Sequence, residues 1–555
     1  MKKKLIKLLG IMLVVILGAV GCSNNTNEDK QSEYNIKESN YIHLTMLFPK
    51  TINPILNNDK SVGYIMNLIY DGLFEIDEKY NVQPCLVKDY SISSDGKSVK
   101  ITLNNNAKWH NNKQITSSDV DYTVSLIKKH SESSYSSLVK NIKSIDIISS
   151  KSFTIRLNEN DPFIIDKLTF PIVSKDKLSS LKESQITEYK HNFIGNGPYK
   201  IKKYEDRQYI ILERNEDYFG DLPENRKEIY VKMVPDKESQ TEMVLSLDSD
   251  IANITLADLS KFEDKKEFNV TKYEGRDYDM VMFNYNNDYL NNANFRKAII
   301  SAINREKVIK EAYVKNATLS TFPLNTTSKY YNSNIKNLSY DKDKAKEYLV
   351  SALNSVNKSK KEQVQAETNK LDSQNLQGVI EDNSSINKND EDLTRKEIKN
   401  ILSKIELKII VSKNNDERIK VAQVISDNLA SIGVNTVVKE LDNKEFTNAL
   451  DSKDYDLAII GYFLSSVPDA RDILQGCNIE DKKLSTYIKS LGNSTSENET
   501  KKIYSQIQEY IVNESSFISL GILDNFIVSN KRLEGTIHPN DFDIYKGISN
   551  LQMNK

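Results

Sequence analysis

The first apolar block is an uninterrupted run. Leu8 to Val20 forms a 13-residue apolar stretch behind Lys2, Lys3, Lys4 and Lys7, and it ends in Ala19-Val20-Gly21-Cys22. A basic start, an apolar middle too short to span a bilayer comfortably and a small-residue end predict a cleavable export signal. Ser23 to Ser39 is almost wholly polar and predicts a flexible tether. From Tyr41 onward the apolar positions become periodic. Residues 91–94 and Ser98–Leu103 flank Asp95-Gly96-Lys97, and Asp-Gly suits a tight hairpin turn, so a strand pair is predicted. Thr116-Ser-Ser-Asp119 has the form of a capping box and opens a helix with Val120, Val124 and Ile127 on one face. Asn294 reads as the cap of another helix, carrying Phe295, Ala298, Ile299, Ala302 and Ile303 at helical spacing.

Toward the C-terminal third, Leu407, Ile409 and Val411 alternate as a strand. A helix follows, with Val421, Val424, Ile425, Leu429 and Ile432 on one face and Gly433 at its end. Val434 to Lys439 is then a second strand. This βαβ unit should cross over right-handed. Leu457 to Ile460 is a third, continuously apolar strand. Ligands of such layers sit beyond the carboxyl ends of the strands, which puts Gly461 to Asp469 at a cleft edge. The pattern fails once, at Asn354 to Arg395. Between Ser355 and Arg395 only eight residues are Val, Ile or Leu, too few for a separate core. The stretch reads as a polar, partly disordered surface insertion with room for a short charged helix near 391–404.

Composition narrows the function classes. The length of 555 residues gives room for three or four domains. Lys and Arg number 76 against 78 Asp and Glu, so no basic field exists for nucleic acid. Beyond Cys22 only Cys85 and Cys477 remain, far apart and in no CxxC pattern, so a disulfide framework is not predicted despite export. The chain has no HExxH, Walker A loop or GxSxG elbow. Its five His residues (43, 110, 130, 191 and 538) are isolated in sequence. Gly195-Asn-Gly197-Pro198 lacks a third Gly at dinucleotide spacing and reads as a turn. No catalytic residue, metal site or cofactor is predicted, and the expectation is a protein that is not an enzyme.

Two resemblances add to this reading. Ala19-Val20-Gly21-Cys22 resembles the bacterial lipobox, although Leu is more usual where Ala19 stands. It implies acylation of Cys22, removal of residues 1–21 and anchoring at the extracellular face of the cell membrane. Pro84-Cys-Leu-Val-Lys-Asp-Tyr-Ser-Ile-Ser-Ser-Asp-Gly-Lys97, then Ile101-Thr-Leu103, Lys108-Trp-His110 and Thr116-Ser-Ser-Asp-Val120, resemble the extracellular solute-binding proteins of family 5. Those are the oligopeptide-, dipeptide- and nickel-binding receptors of ABC importers. Tyr70-Asp-Gly-Leu-Phe74, Gly195-Asn-Gly-Pro-Tyr199, Leu212-Glu-Arg-Asn215, Arg296-Lys-Ala-Ile299 and Asp454-Tyr-Asp456 continue the likeness in family order.

The resemblance implies an α/β, two-lobed periplasmic-binding-protein-like fold of type II, with three domains and hinge closure. Domain I would comprise 41–71, 193–283 and 508–550; domain II, 72–192; and domain III, 284–507, carrying the insertion at about 354–395. The residues implied to touch ligand are Asn57 and Asn58, Tyr135, Asn284 and Tyr285 at the lobe crossing, and Tyr462 and Phe463. Trp109 and His110 belong to the family signature and read as structural. Ser465 stands where oligopeptide receptors commonly place an Asp for the ligand's amino terminus, and Asp469 is the alternative acid if the loop is shifted. The implied function is capture of oligopeptides by a lipid-anchored monomer that delivers them to a membrane permease with its ATPase. Nickel or its chelates, opines, oligosaccharides, a signalling peptide sensed without transport, and a surface enzyme on the same scaffold are the alternatives.

Overall fold

The structure is a computed structural model and describes residues 41–190, 193–223, 228–374, 392–477, 479 and 481–553. The export signal, Cys22, the tether and residues 375–391 of the polar insertion lie outside the described residues. The fold is mixed α/β with two lobes.

The first lobe is built on two four-stranded sheets. In one, Ile42–Leu47 pairs in parallel with Glu228–Val234, and Tyr209–Arg214 and Tyr199–Glu205 follow antiparallel. In the other the order is Val87–Ile92, Ser98–Leu103, Ser152–Leu157, Ile142–Ser149. The predicted hairpin is here: Asp95-Gly96 turns the chain, with Gly96 at φ +66°. Val99, Ile101 and Leu103 alternate inward and pack on Val120, Val124 and Ile127 of helix Ser117–Lys129. Asp119 closes the capping box by accepting from the Thr116 N–H at 2.9 Å.

Trp109 and His110 knit this lobe together. Trp109 is buried. His110 Nδ1 accepts from the Gly195 N–H at 3.2 Å, so the proton lies on Nε2, which donates to the Gly197 carbonyl at 3.1 Å. Burial lowers the imidazole's pKa to about 4 and keeps it neutral.

The second lobe is organised by a seven-stranded sheet. Glu406–Ser412, helix Asp416–Ala430 and Asn435–Leu441 make the predicted βαβ unit, with Gly433 at φ +87° behind the helix. Leu457–Phe463 joins it in parallel. Helix Ala293–Ala302 buries Phe295, Ala298, Ile299 and Ala302 against this sheet. Its cap is Asn292, not Asn294: the Asn292 side chain accepts from the Asn294 and Phe295 N–H groups, while Asn294 donates to Ser351. A cap must precede the orphan donors it satisfies, and Asn294 already contributes one.

The polar stretch also departs from expectation. Helix Lys342–Gln374 runs through its first part, and Arg395–Leu402 forms the short helix that follows. Ala345, Leu349, Ala352 and Leu353 anchor the long helix in the lobe core. Beyond them it needs no apolar face, because Lys, Glu, Gln and Ala are strong helix formers.

Two long strands join the lobes. Phe268–Phe283 and Ile518–Asn530 pair antiparallel, with a register shift between Glu274 and Tyr278. Three residues, Gly275 to Asp277, stand opposite one. A Cβ on Gly275 would lie 2.6 Å from the Leu523 carbonyl oxygen, so only glycine fits this bulge. Bulges re-aim side chains, and this one aims Arg276 between the lobes.

Candidate functional site

A cavity of about 490 Å³ opens between the lobes. Its first-lobe wall begins at Asn57 and Asn58. Asn53, fully buried, accepts from the Ile55 N–H and its carbonyl accepts from the Leu56 and Asn57 N–H groups, which turns the chain. Asn57 Nδ2 then donates to the Asp59 carbonyl at 2.8 Å, and Asp59 caps helix Lys60–Met66. Asn58 bridges to the neighbouring loop, donating to the Glu132 carbonyl and accepting from the Ser134 N–H. That contact holds Tyr135, whose ring leans on Phe170 at 6.3 Å and whose hydroxyl pKa burial pushes up to about 12.

Arg276 stands at the junction of the walls. Its Nε donates to Asp541 at 2.7 Å and its Nη1 to the Leu464 carbonyl at 2.6 Å. The guanidinium lies 3.9 Å from the centroids of both Phe463 and Phe542. One cation therefore touches second-lobe residues (Phe463, Leu464) and first-lobe residues (Asp541, Phe542) at once. Lys60 adds to the cluster, 4.4 Å from the Phe463 centroid and 3.3 Å from Asp541.

Charge in the cavity is unbalanced. Five carboxylates line it (Asp59, Asp71, Glu75, Asp541, Asp543) against three cations (Lys60, Arg276, Lys546). Asp541 is matched by Arg276, and Glu75 by Lys546 at 2.8 Å. Asp71 accepts from the Tyr218 hydroxyl at 2.9 Å, and Asp543 from the Tyr545 N–H at 3.1 Å. Burial pushes Asp71 up to about 7, with Glu75 adding to the rise, and pushes Asp543 up to about 6. These two carboxyls are where a ligand's positive charge would be best compensated.

The second-lobe wall is Ser465 and Ser466, beyond the end of Leu457–Phe463. The Ser465 hydroxyl accepts from the Val467 N–H at 3.1 Å. Among the described residues, the main-chain N–H and C=O groups of Ser465 and Ser466 have no hydrogen-bond partner. They are available to a ligand's own backbone.

The model of the bacterial extracellular solute-binding proteins, family 5, matches residues 81–482. The chain belongs to this family. The oligopeptide-binding protein AppA of Bacillus subtilis is 21% identical over 98% of both chains. Among solved structures, the ABC transporter substrate-binding protein CtaP of Listeria monocytogenes aligns with TM-score 0.69 at 21% identity, covering 93% of this chain and 99% of that one. AppA of B. subtilis in complex with a nonapeptide aligns with TM-score 0.55 at 20% identity over 93% and 99%. The fold of this family 5 protein is that of the type II solute-binding proteins.

Within that fold, the cleft unites Asn57, Asn58, Tyr135 and Ser465, with Phe463 at its edge under Arg276 and Lys60. The other expected residues are placed elsewhere. Tyr462 alternates with Phe463 along the strand and so faces the interior of the second lobe, its hydroxyl beside Gly476. Asn284 is buried, donating to the Lys453 and Tyr455 carbonyls, and the Tyr285 hydroxyl donates to the Ser516 carbonyl. Both line a separate cavity of the second lobe. Asp469 is held by Arg471, with Nε–Oδ1 at 2.8 Å and Nη2–Oδ2 at 2.5 Å, and faces a small neighbouring hollow. It is not free to take an amine. Sequence reading missed Asp71, Arg276, Asp541, Phe542 and Asp543. Gly275 inside a strand pattern was the available signal for the bulge that carries Arg276.

Proposed function

We propose that this protein is the lipid-anchored substrate-binding component of an ABC importer, which captures short peptides between its lobes and hands them to a membrane permease. The observation that carries this reading is the pairing of wall types in one cavity. Ser465 and Ser466 offer unpaired main-chain groups, and the facing wall offers the carboxyls of Asp71 and Asp543. An extended peptide has a backbone for the first and an amino terminus for the second, whatever its side chains. A volume near 490 Å³ is in the usual range for small-ligand sites and favours short peptides. The peptide named with AppA and the oligopeptide-binding name of that relative support the same class.

Ser465 stands where an Asp was expected, so the amine partner moves to the first lobe. Cys22 provides the anchor at the extracellular face, and two acyl chains there give stable attachment.

Native mass spectrometry of the protein after exposure to a peptide digest tests the class, and calorimetry of a retained peptide and its N-acetylated form tests the amine. Retention of short peptides and at least a tenfold weaker acetylated form are expected. No retained peptide, or equal affinity of the two forms, sinks the respective part. Loss of radiolabelled palmitate incorporation in Cys22→Ala tests the anchor.

A further inference from the structure

One first-lobe side chain is buried in the other lobe's core. Phe163 follows Ser152–Leu157 in Asp161-Pro162-Phe163. Its neighbours Ile164, Leu168 and Phe170 pack in the first-lobe core with Val120 and Ile155. Phe163 itself is fully buried among Tyr330, Phe322 and Tyr504 of the second lobe. Its ring stands 6.0 Å from Tyr330, edge-on, and 6.1 Å from Tyr504. Asn160 reinforces the contact, its Nδ2 donating to the Gly492 and Ser494 carbonyls at 3.1 and 3.0 Å.

Tyr504 is also the post to which the cleft loop is tied. Its hydroxyl donates to the Pro468 carbonyl at 2.5 Å and accepts from the Ala470 N–H at 3.1 Å. The same loop carries Ser465 and Ser466 to the cavity. Arg471, clamped on Asp469, places its guanidinium 5.9 Å from the Phe163 centroid. Phe163 therefore touches both side chains that fix the far end of this loop.

We propose that Phe163 is a positioning residue: docked on Tyr504 across the lobe boundary, it sets the conformation of the loop Leu464–Ala470 and so couples lobe contact to the shape of the ligand-facing wall. The inference rests on the reading of the cleft as the capture site, but the coupling itself exists without ligand. Phe163 is not among the residues that line the cavity, so its effect on binding is expected to run through the loop. The ring can be buried in this way only while the lobes are together, so lobe separation releases Tyr504 and with it the loop.

The test is amide hydrogen exchange of the full chain without ligand, which fails or succeeds independently of what the cleft captures. In Phe163→Ala the Val467, Asp469 and Ala470 amides should exchange at least tenfold faster, while Ser98–Leu103 and Ser152–Leu157 in the same lobe stay within twofold. Phe163→Leu should restore exchange to within threefold of the parent. Loop exchange within twofold of the parent in a folded Phe163→Ala overturns the coupling, as does equal acceleration in the first-lobe strands. Should Phe163→Ala lose cooperative unfolding, Asn160→Ala is read in the same way. It removes only the two hydrogen bonds to Gly492 and Ser494, and about threefold faster loop exchange is expected. No change there overturns the proposal.

Discussion

Two cavities of nearly equal size, about 490 and 480 Å³, differ in almost everything that makes a site. The first lies between the lobes; the second lies within the second lobe, around Asn284, Tyr285 and Arg296. In the second, the buried polar side chains Asn284, Tyr285 and Arg296 are already engaged. Arg296 donates to the carbonyls of Leu290, Asn291, Glu514 and Ser515 and sits over the Tyr285 ring. Burial pushes Asp481 up, but hydrogen bonds from the Tyr510 hydroxyl and the Leu484 and Lys483 N–H groups outweigh it and hold the carboxyl below its ordinary value. In the first, among the described residues, two serines keep unpaired main-chain groups and the carboxyls of Asp71 and Asp543 make no ion pair. Volume is common to both; main-chain groups left open on one wall opposite carboxyls on the other mark the first, and a ligand can exploit that pairing.

The largest effect should come from the second cavity. Arg296→Ala strands four carbonyl groups, and each lost partner of a buried acceptor costs roughly 1–3 kcal/mol. With water entering the adjacent hollow, a loss of about 3 kcal/mol is expected in urea unfolding. Peptide affinity of the folded protein should stay within twofold. A fivefold fall in affinity would break the contrast between the cavities.

Arg276→Leu, in the other cavity, should affect both quantities. Among the described residues it leaves the Asp541 carboxylate with Lys60 and Asn525, costing on the order of 2 kcal/mol of stability. It also removes a contact shared by the lobes, so peptide affinity by calorimetry should fall about tenfold. A stability loss with unchanged affinity would demote Arg276 to a structural role like that of Arg296.

The contrast explains what the sequence could and could not reveal. The Asp95-Gly96 hairpin, the Thr116 capping box and the βαβ unit at 406–441 depend on local periodicity and capping, and those signals lie within a dozen or so residues. The cleft is assembled from Asp71, Arg276, Ser465 and Asp543, which no local pattern connects. The family resemblance reached Asn57, Asn58, Tyr135 and Ser465, because those loops have a fixed place in the fold. It also put Asn284 and Tyr285 at the lobe crossing. The crossing strand does end there, at Phe283, but hydrogen bonds to Lys453, Tyr455 and Ser516 turn both side chains into the second lobe. The helix through 354–374 was hidden for another reason: its sequence carries helix propensity but little apolar period.

Phe463→Ala is a smaller cut. The ring is 50% exposed, so little core is lost and stability should change by less than about 0.5 kcal/mol. Lys60 and Arg276 both lie against the ring and tie it to the first lobe, so losing a cation–π contact of about 1 kcal/mol should loosen lobe closure and lower affinity roughly fivefold. Tyr462→Phe, one residue away on the opposite face, should leave affinity unchanged. Equal effects of the two would show that strand alternation does not separate cleft from core here.

The smallest effect is a proton. Asp71 has its pKa raised from 3.8 to about 7 by burial, so between those values the folded chain holds a proton that the unfolded chain has lost. Its contribution to stability therefore declines as pH rises from about 4 to about 7. A ligand ammonium beside Asp71 lowers that pKa again, so binding should release part of a proton between pH 6 and 7.5, and affinity should rise with pH across that window. Calorimetry in buffers of different ionisation enthalpy reads the release directly. Asp71→Asn should reduce it, leaving the residue due to Asp543, which titrates nearer 6. Asp481 in the second cavity is already ionised over this range and contributes nothing. Proton uptake on binding, or no linkage at all, would mean that the charge of the ligand is met elsewhere and that Asp71 and Asp543 do not distinguish the cleft.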